Sequence, residues 1–257
     1  MATAIFLAFL MLVFLASVGL QLLGHHVGLV WRARGMTGVN ESTTAIQTSL
    51  FALLGLLIAF TVSGGATRLE ARQHLIVDEA NAIGTAYLRL DLMPPAHQPN
   101  LRELFRRYTE ARIAFFSQVN HFAEARASHD RAVELQRQIW DAAVAGAAEA
   151  HDTRTAMLAL PAINQMIDLT TSRDAALQTH VPISMFILLV VLAFACAYLA
   201  GIEMSKQARP SAFHMLAFAG TLALICYVIV NIEFPRVGLV RLAPFDRLLV
   251  IARQQMG

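Results

Sequence analysis

The sequence predicts an all-α integral membrane protein with four transmembrane helices and a helical soluble segment inserted between the second and third spans. Three observations predict this class. Of the 257 residues, 56% are hydrophobic and only 15% are charged, whereas soluble domains are typically about 25% charged. The charged residues leave four long windows empty, and the segment between the second and third windows has the three- and four-residue apolar spacing of helices. The formal net charge of +2 gives no basis for binding nucleic acid.

Each charge-free window is long enough to cross a membrane. A helix needs about 20 mostly apolar residues to span the hydrocarbon core with every backbone polar group satisfied inside the segment. The first window has no basic residue ahead of its apolar run, so we favour a retained span over a cleaved signal peptide. The windows cover residues 1–31, 42–67, 175–202 and 210–232.

The second window differs from the others in having a polar entrance. Polar side chains at one end of an apolar span are more typical of a helix that lines a pore than of one that faces lipid. No glycine-rich linker precedes Arg68, so the span is predicted to continue past Gly64 and Gly65 into the soluble segment as one helix. The entrance residues are Thr43, Thr44, Gln47, Thr48 and Ser49.

Residues 68–174 form the predicted soluble segment, with 12 arginines and 14 acidic residues interspersed. Two apolar stripes at helical spacing predict its first two helices, and Arg112 interrupts the second stripe. The first stripe comprises Ile76, Ala80, Ile83, Tyr87 and Leu90, and the second comprises Leu101, Phe105, Tyr108, Phe115, Val119 and Phe122.

Helix boundaries follow from local signals. Pro94 and Pro95 end the first soluble helix. Asn100 and Glu103 have the spacing of a capping box, which predicts that the second helix begins near Leu101. A third helix is predicted over Ala125–Ala150, and a fourth begins near Asp152 or Thr153 and is perturbed at Pro161.

The predicted domains are residues 1–67, with the first two spans, and 68–174, the soluble segment. Residues 175–232 hold the last two spans, and 233–257 form a tail with a short amphipathic helix from Pro244 to Ile251. Six basic residues flank the spans on the side of the soluble segment, against four on the other side, which favours a cytoplasmic soluble segment. The six are Arg68, Arg72, Arg173, Arg236, Arg241 and Arg247, and the four are Arg32, Arg34, Lys206 and Arg209.

Motifs of the common nucleotide-binding, metallopeptidase and hydrolase sites are missing from the sequence, so we expect no enzyme activity, no cofactor and no metal centre. Cys196 and Cys226 are interpreted as small packing residues within spans. The adjacent His25 and His26 are interpreted as interfacial histidines.

A small polar cluster, Asp78, Glu79 and Asn81, occurs on the first soluble helix. Carboxylate and amide oxygens suit hard cations, so a cation site is one interpretation. Hydrogen bonding at the helix surface or between subunits is the favoured one.

Two stretches of the chain resemble the bestrophin-like family of bacterial membrane proteins. They are residues 53–95, LLGLLIAFTVSGGATRLEARQHLIVDEANAIGTAYLRLDLMPP, and residues 233–242, EFPRVGLVRL. That family is distantly similar to the bestrophins, pentameric and mostly anion-conducting channels whose second membrane helix lines an apolar neck. The resemblance implies a homo-oligomer, expected to be a pentamer, in contact with membrane lipid and inorganic ions.

The resemblance also implies which residues line the pore. Ala52, Leu56 and Phe60 correspond to the inward-facing neck positions, and Thr61 belongs to the matching Phe-Thr-Val stretch. The chain departs from the bestrophins at Leu69, where they carry a bulky aromatic residue, and it lacks their acidic calcium-binding tail.

The leading hypothesis is therefore an oligomeric, anion-conducting channel in the bacterial inner membrane. The main alternative is a non-conducting membrane sensor or scaffold that signals through its helical bundle. A membrane enzyme is the least favoured, because no pair of ionisable residues occurs within a predicted span.

Overall fold

The structure is a computed structural model that describes residues 2–35, 39–118, 122–150, 152–207, 211–235 and 243–257. These residues form helices and connecting turns, without strands, which confirms the all-α class. Arg209, Arg236 and Arg241, on which the predicted orientation partly depends, lie outside the described residues. The helices are α1 (Ala2–Ala33), α2 (Val39–Leu88), α3 (Gln98–Ser117), α4 (Phe122–Glu149), α5 (Thr153–Gln178), α6 (Ile183–Met204), α7 (Ala212–Glu233) and α8 (Ala243–Gln254).

The chain divides into two compact units. The first unit comprises residues 1–69 and 180–240, and the second comprises residues 70–179 and 241–257. Within the described ranges, four helices are long and apolar enough to cross a membrane, and α1, α2, α6 and α7 carry these stretches. The prediction of four spans is confirmed.

In the first unit, α1 packs closely against α6 and also against α7. A Cβ added at Gly24 would lie 2.1 Å from the carbonyl oxygen of Tyr198, and one added at Gly201 would lie 2.1 Å from that of Gln21. Such contacts need glycine on each helix, the usual device of membrane helices that approach closely. Cys196 and Cys226 are buried free thiols, as expected for small packing residues.

The face of α1 towards this interface is polar. Ser17, Gln21 and His25 follow one another at four-residue spacing and are buried, whereas His26 is exposed. The Gln21 amide donates a hydrogen bond to the carbonyl oxygen of Met215 on α7, at 3.3 Å. Interhelical hydrogen bonds of this kind specify which helices pair in a membrane, where hydrophobic burial does not.

The second unit has its core between α3, α4, α5 and the later part of α2. All five residues of the first predicted stripe are buried, and Leu101, Phe105 and Tyr108 of the second stripe are fully buried with them. Val119 and the side chain of Phe122 lie outside the described residues. The helix α8 packs against α3, and its Leu249 and the following Met256 are buried in the core, so the short tail helix predicted from Pro244 to Ile251 is present.

The helix boundaries confirm some signals and correct others. The helix α2 is continuous past Gly64 and Gly65, as predicted, and ends in a 3-10 turn at Arg89–Leu92, before the two prolines. The capping box predicted at Asn100 is wrong, since α3 already begins at Gln98 with His97 as its N-cap. Pro99 lies in the first turn, where proline is preorganised for a helix start.

The start of α5 has the side-chain cap that α3 lacks. The Asp152 carboxylate accepts a hydrogen bond from the backbone N–H of Arg154 at 2.9 Å. The helix then runs through Pro161 to Gln178. This agrees with the predicted start of the fourth soluble helix.

Candidate functional site

The candidate pore face lies on α2. Ala52, Leu56 and Phe60 are exposed, with Leu56 at 52% and Phe60 at 62%. They are four residues apart and so share one side of the helix. The opposite side of α2 is packed, where Leu54 is 5% exposed and lies in a cluster with Leu189 of α6. The three predicted neck residues are therefore unburied within a single chain.

Thr61 does not belong to this face. Its side chain is 3% exposed, and its hydroxyl donates to the carbonyl oxygen of Leu57 at 2.7 Å. Each residue turns an α-helix by about 100°, so the residue after Phe60 must point away from the face that Phe60 presents. Thr61 is thus corrected from a pore-lining candidate to a packed residue.

Hydroxyl groups lie on the same side of α2 as the neck residues. At about 100° per residue, Ser49, Ser63 and Thr67 fall within about 80° of Ala52, Leu56 and Phe60 around the helix, and all three are exposed. Ser49 and Thr67 donate their hydroxyl hydrogens to carbonyl oxygens one turn earlier, at 3.0 and 3.1 Å. Along the helix, this face is therefore polar at Ser49, apolar from Ala52 to Phe60, and polar again at Ser63 and Thr67. Of the predicted entrance residues, the side chain of Thr43 lies outside the described residues.

A buried carboxylate holds the end of α7 to α2. Glu233 is 6% exposed, and its Oε2 accepts hydrogen bonds from Arg68 Nε at 3.2 Å and Nη2 at 2.9 Å. Its Oε1 accepts from the backbone N–H of Val181 at 2.9 Å and lies 3.3 Å from His180 Nδ1. Because a carboxylate only accepts, His180 must carry its proton on Nδ1 for that hydrogen bond. We call Arg68, Glu233 and His180 the Glu233 clamp.

The clamp joins residues that the sequence singled out separately. Arg68 and Glu233 each occur in one of the two family-like stretches, but they are 165 positions apart. Nothing in either stretch identifies the other as its partner.

The structure separates the predicted cluster of Asp78, Glu79 and Asn81. Asp78 and Asn81 are exposed, whereas Glu79 is fully buried. Its Oε1 accepts from Arg112 Nε at 2.7 Å, and its Oε2 pairs with Arg173 Nη1. Both carboxylate oxygens are therefore bound by guanidinium groups, and the interpretation as a cation site is wrong. Among the described residues, no group of His, Cys, Asp and Glu side chains is arranged to hold a metal ion.

Two more acids complete this buried charge network. Asp174 lies 3.2 Å from Arg112 Nη1, and Asp246 of α8 lies 2.6 Å from Arg173 Nη2. Burial by itself lowers the pKa of Arg112, but Glu79, Tyr108 and Asp174 together outweigh it, and the pKa is raised above its usual value. Arg112 is thus a fully charged residue on a stripe that otherwise packs apolar side chains.

Tyr108 lies beside this network and is fully buried. Its hydroxyl forms a 2.7 Å hydrogen bond with Thr170 Oγ1. Burial, together with the negative charge of Glu79, raises the pKa of Tyr108 to about 12. The phenol stays neutral at physiological pH.

Comparisons with known proteins agree on one fold. The family model for the bestrophin-like domain matches residues 5–245. Three solved structures, all of variants of a bacterial bestrophin homologue from Klebsiella pneumoniae, superpose with TM-scores of 0.67, 0.65 and 0.66 at 13, 14 and 14% sequence identity. They cover 95, 97 and 95% of this chain and 98, 96 and 97% of their own. No curated protein sequence matches the chain.

Proposed function

We propose that this chain, which belongs to the bestrophin-like family, forms an oligomeric ion channel in the bacterial inner membrane, with α2 lining an apolar neck. The observation that carries the proposal is the exposed face of α2, on which Ala52, Leu56 and Phe60 lie between hydroxyl-bearing residues. The apolar band between Ser49 and Ser63 is only about 20 Å long at 1.5 Å per residue, shorter than the hydrocarbon core of about 30 Å that a lipid-facing span must cross. A helix that faces a water-filled passage gains hydration at both ends of a dry constriction.

The burial of the spans supports the same assignment. Only 11% of the residues in the apolar stretch of α2 are buried within the chain, against 17% in α1, 44% in the stretch that includes α6 and 39% in α7. The helix α2 is therefore the one that most needs partners from outside its own chain. One helix face cannot enclose a passage, so several copies must contribute, and the family resemblance implies five.

In such a ring, Leu56 and Phe60 would form two stacked apolar constrictions. An ion passing them must give up hydration water without replacement oxygens, and narrow apolar rings gate by excluding water. We accordingly propose a low resting flux. The family resemblance further suggests that anions are the conducted species and that the second unit is cytoplasmic.

The test is ion flux through purified protein in liposomes. Leu56→Ser and Phe60→Ala should each widen or wet the neck and raise flux above that of the wild type. The matched control is Leu15→Ser on α1, because Leu15 is 59% exposed and carries a similar apolar surface outside the proposed neck. It should leave flux unchanged.

Two further measurements complete the design. The particle mass in detergent should correspond to a pentamer, whereas a dimer would favour a sensor or scaffold. The reversal potential in a KCl gradient should follow chloride, and a potential that follows potassium would overturn the proposed anion selectivity alone. If folded, assembled wild type and both neck variants pass neither anions nor cations, the channel proposal fails and the scaffold takes its place.

A further inference from the structure

A cavity of about 380 Å³ lies in the first unit, where α6 begins and α7 ends. Its walls are mostly apolar and include four phenylalanines, and Glu233 and His180 of the Glu233 clamp also line it. The apolar lining residues come from α1, α6 and α7, and include Phe6, Phe9, Ile183, Phe186, Ile229 and Val230.

We propose that this cavity binds one acyl chain of a membrane phospholipid. Its volume is within the range of small-molecule sites, which are also lined by apolar and aromatic side chains with a few polar groups. Ile183 is 71% exposed and Phe234, a further lining residue, is 43% exposed, so the cavity opens at the surface of the unit. Because its walls belong to membrane-spanning helices, the abundant ligand at that opening is lipid.

The order of polar and apolar groups matches a phospholipid rather than a purely apolar molecule. Glu233 is the last residue of α7, and Ile229 lies one turn further into the same helix. His180 likewise precedes α6, while Phe186 lies one turn inside it. A ligand following this order has its polar group beside the clamp and its hydrocarbon between the helices.

The charge of the clamp permits an anionic head group. The Glu233 carboxylate is neutralised by the two hydrogen bonds from Arg68 and receives a further backbone N–H. The Arg68 side chain remains 25% exposed, and that of His180 is 38% exposed. A head group near the clamp therefore meets a carboxylate whose charge Arg68 already balances, rather than an unpaired one.

The test measures phospholipid that remains on the full-length protein after purification in mild detergent, by extraction and mass spectrometry. Val230→Phe would fill the cavity, whereas Val228→Phe adds the same volume on α7 at a 39% exposed residue outside it. The wild type and Val228→Phe should retain about one phospholipid per subunit, and Val230→Phe should retain several-fold less. Equal retention by both variants would overturn the proposal.

A second measurement covers the case in which Val230→Phe fails to fold. Wild-type protein in nanodiscs is exposed to a phospholipid with a photoreactive group near the end of one chain, and labelled peptides are mapped. Labelling should be concentrated at Phe186 and Ile229. Leu188 and Val191 are exposed on the same α6. Labelling of these two residues as strong as that of Phe186 and Ile229, or no labelling of the cavity, would refute the site. Neither result depends on whether the protein conducts ions.

Discussion

Replacing Glu79 with glutamine should destabilise the second unit more than any other single loss of charge in it. The carboxylate is fully buried and faces two guanidinium groups, one from α3 and one from α5. Glu79→Gln keeps the size of the side chain but removes its charge. The new amide can accept one hydrogen bond, yet its N–H₂ group then faces a cation that only donates.

The magnitude follows from what remains around the two arginines. Removing one partner of a buried ion pair costs about 3–5 kcal/mol, because the other charge is left uncompensated. Here Asp174 still pairs with Arg112, and Asp246 with Arg173, although both acids are 21% exposed. We therefore expect the lower end of that range, about 3 kcal/mol. For a unit of this size, that lowers the unfolding temperature on the order of 10 °C.

Intrinsic fluorescence can report this unit separately. The chain has two tryptophans, and Trp140 packs against the core of the second unit whereas Trp31 lies on α1. Thermal unfolding is followed in detergent on a Trp31→Phe background, with Glu134→Gln as the matched control. The Glu134 carboxylate pairs with Arg137 at 2.6 Å between two exposed side chains, and such pairs contribute little. An unfolding temperature for Glu79→Gln within about 2 °C of the control, which corresponds to about 0.5 kcal/mol, would show that the buried pairs are not what stabilises the unit.

Two further predictions concern pH and helix packing. Because the pKa of Tyr108 is raised to about 12, the folded state keeps a phenol proton that the unfolded state releases near pH 10. The stabilisation that Tyr108 contributes is therefore complete below pH 10 and is lost as the pH rises through 12. The loss is up to about 1.4 kcal/mol per pH unit. The difference in unfolding temperature between wild type and Tyr108→Phe should therefore shrink from pH 9 to pH 11.5, and a constant difference would contradict this. Gly201→Ala places a methyl group 2.1 Å from the Gln21 carbonyl oxygen and should destabilise the first unit by about 1–3 kcal/mol, as measured by Trp31 fluorescence. The control Gly220→Ala has no atom within 4 Å of its added Cβ and should not destabilise the unit. Equal effects of the two substitutions would mean that α1 and α6 are not in close contact.

The sequence was sufficient for features that depend on neighbours along the chain. Charge-free windows identify spans because an unpaired charge in the hydrocarbon core is costly at any position. Apolar spacing identified the buried side of the first soluble helix, where Ile76, Ile83 and Leu90 have 0–1% exposure. The side of α2 on which Thr61 lies could also have been predicted, because a residue next to Phe60 in a helix cannot lie on the same face.

Features that depend on distant partners could not be predicted in the same way. Glu79 pairs with residues 33 and 94 positions away. Its burial therefore could not be inferred from its neighbours in the sequence, Asp78 and Asn81, which are exposed. Arg112 carried a usable signal. A single arginine on an apolar stripe must either end the stripe or find a buried acid, because burying an unpaired charge is too costly.

The hydrogen bonds that close each unit also determine when, during synthesis, each unit can be completed. Gln21 of α1 bonds to Met215, 194 positions later, and the Tyr87 hydroxyl bonds to the carbonyl oxygen of Met256, 169 positions later. At a synthesis rate of about 5–20 residues per second, Met215 is made roughly 10–40 s after Gln21. The earliest span to be made is therefore among the last to be packed, and its polar face must be tolerated by lipid or by the insertion machinery until α6 and α7 arrive.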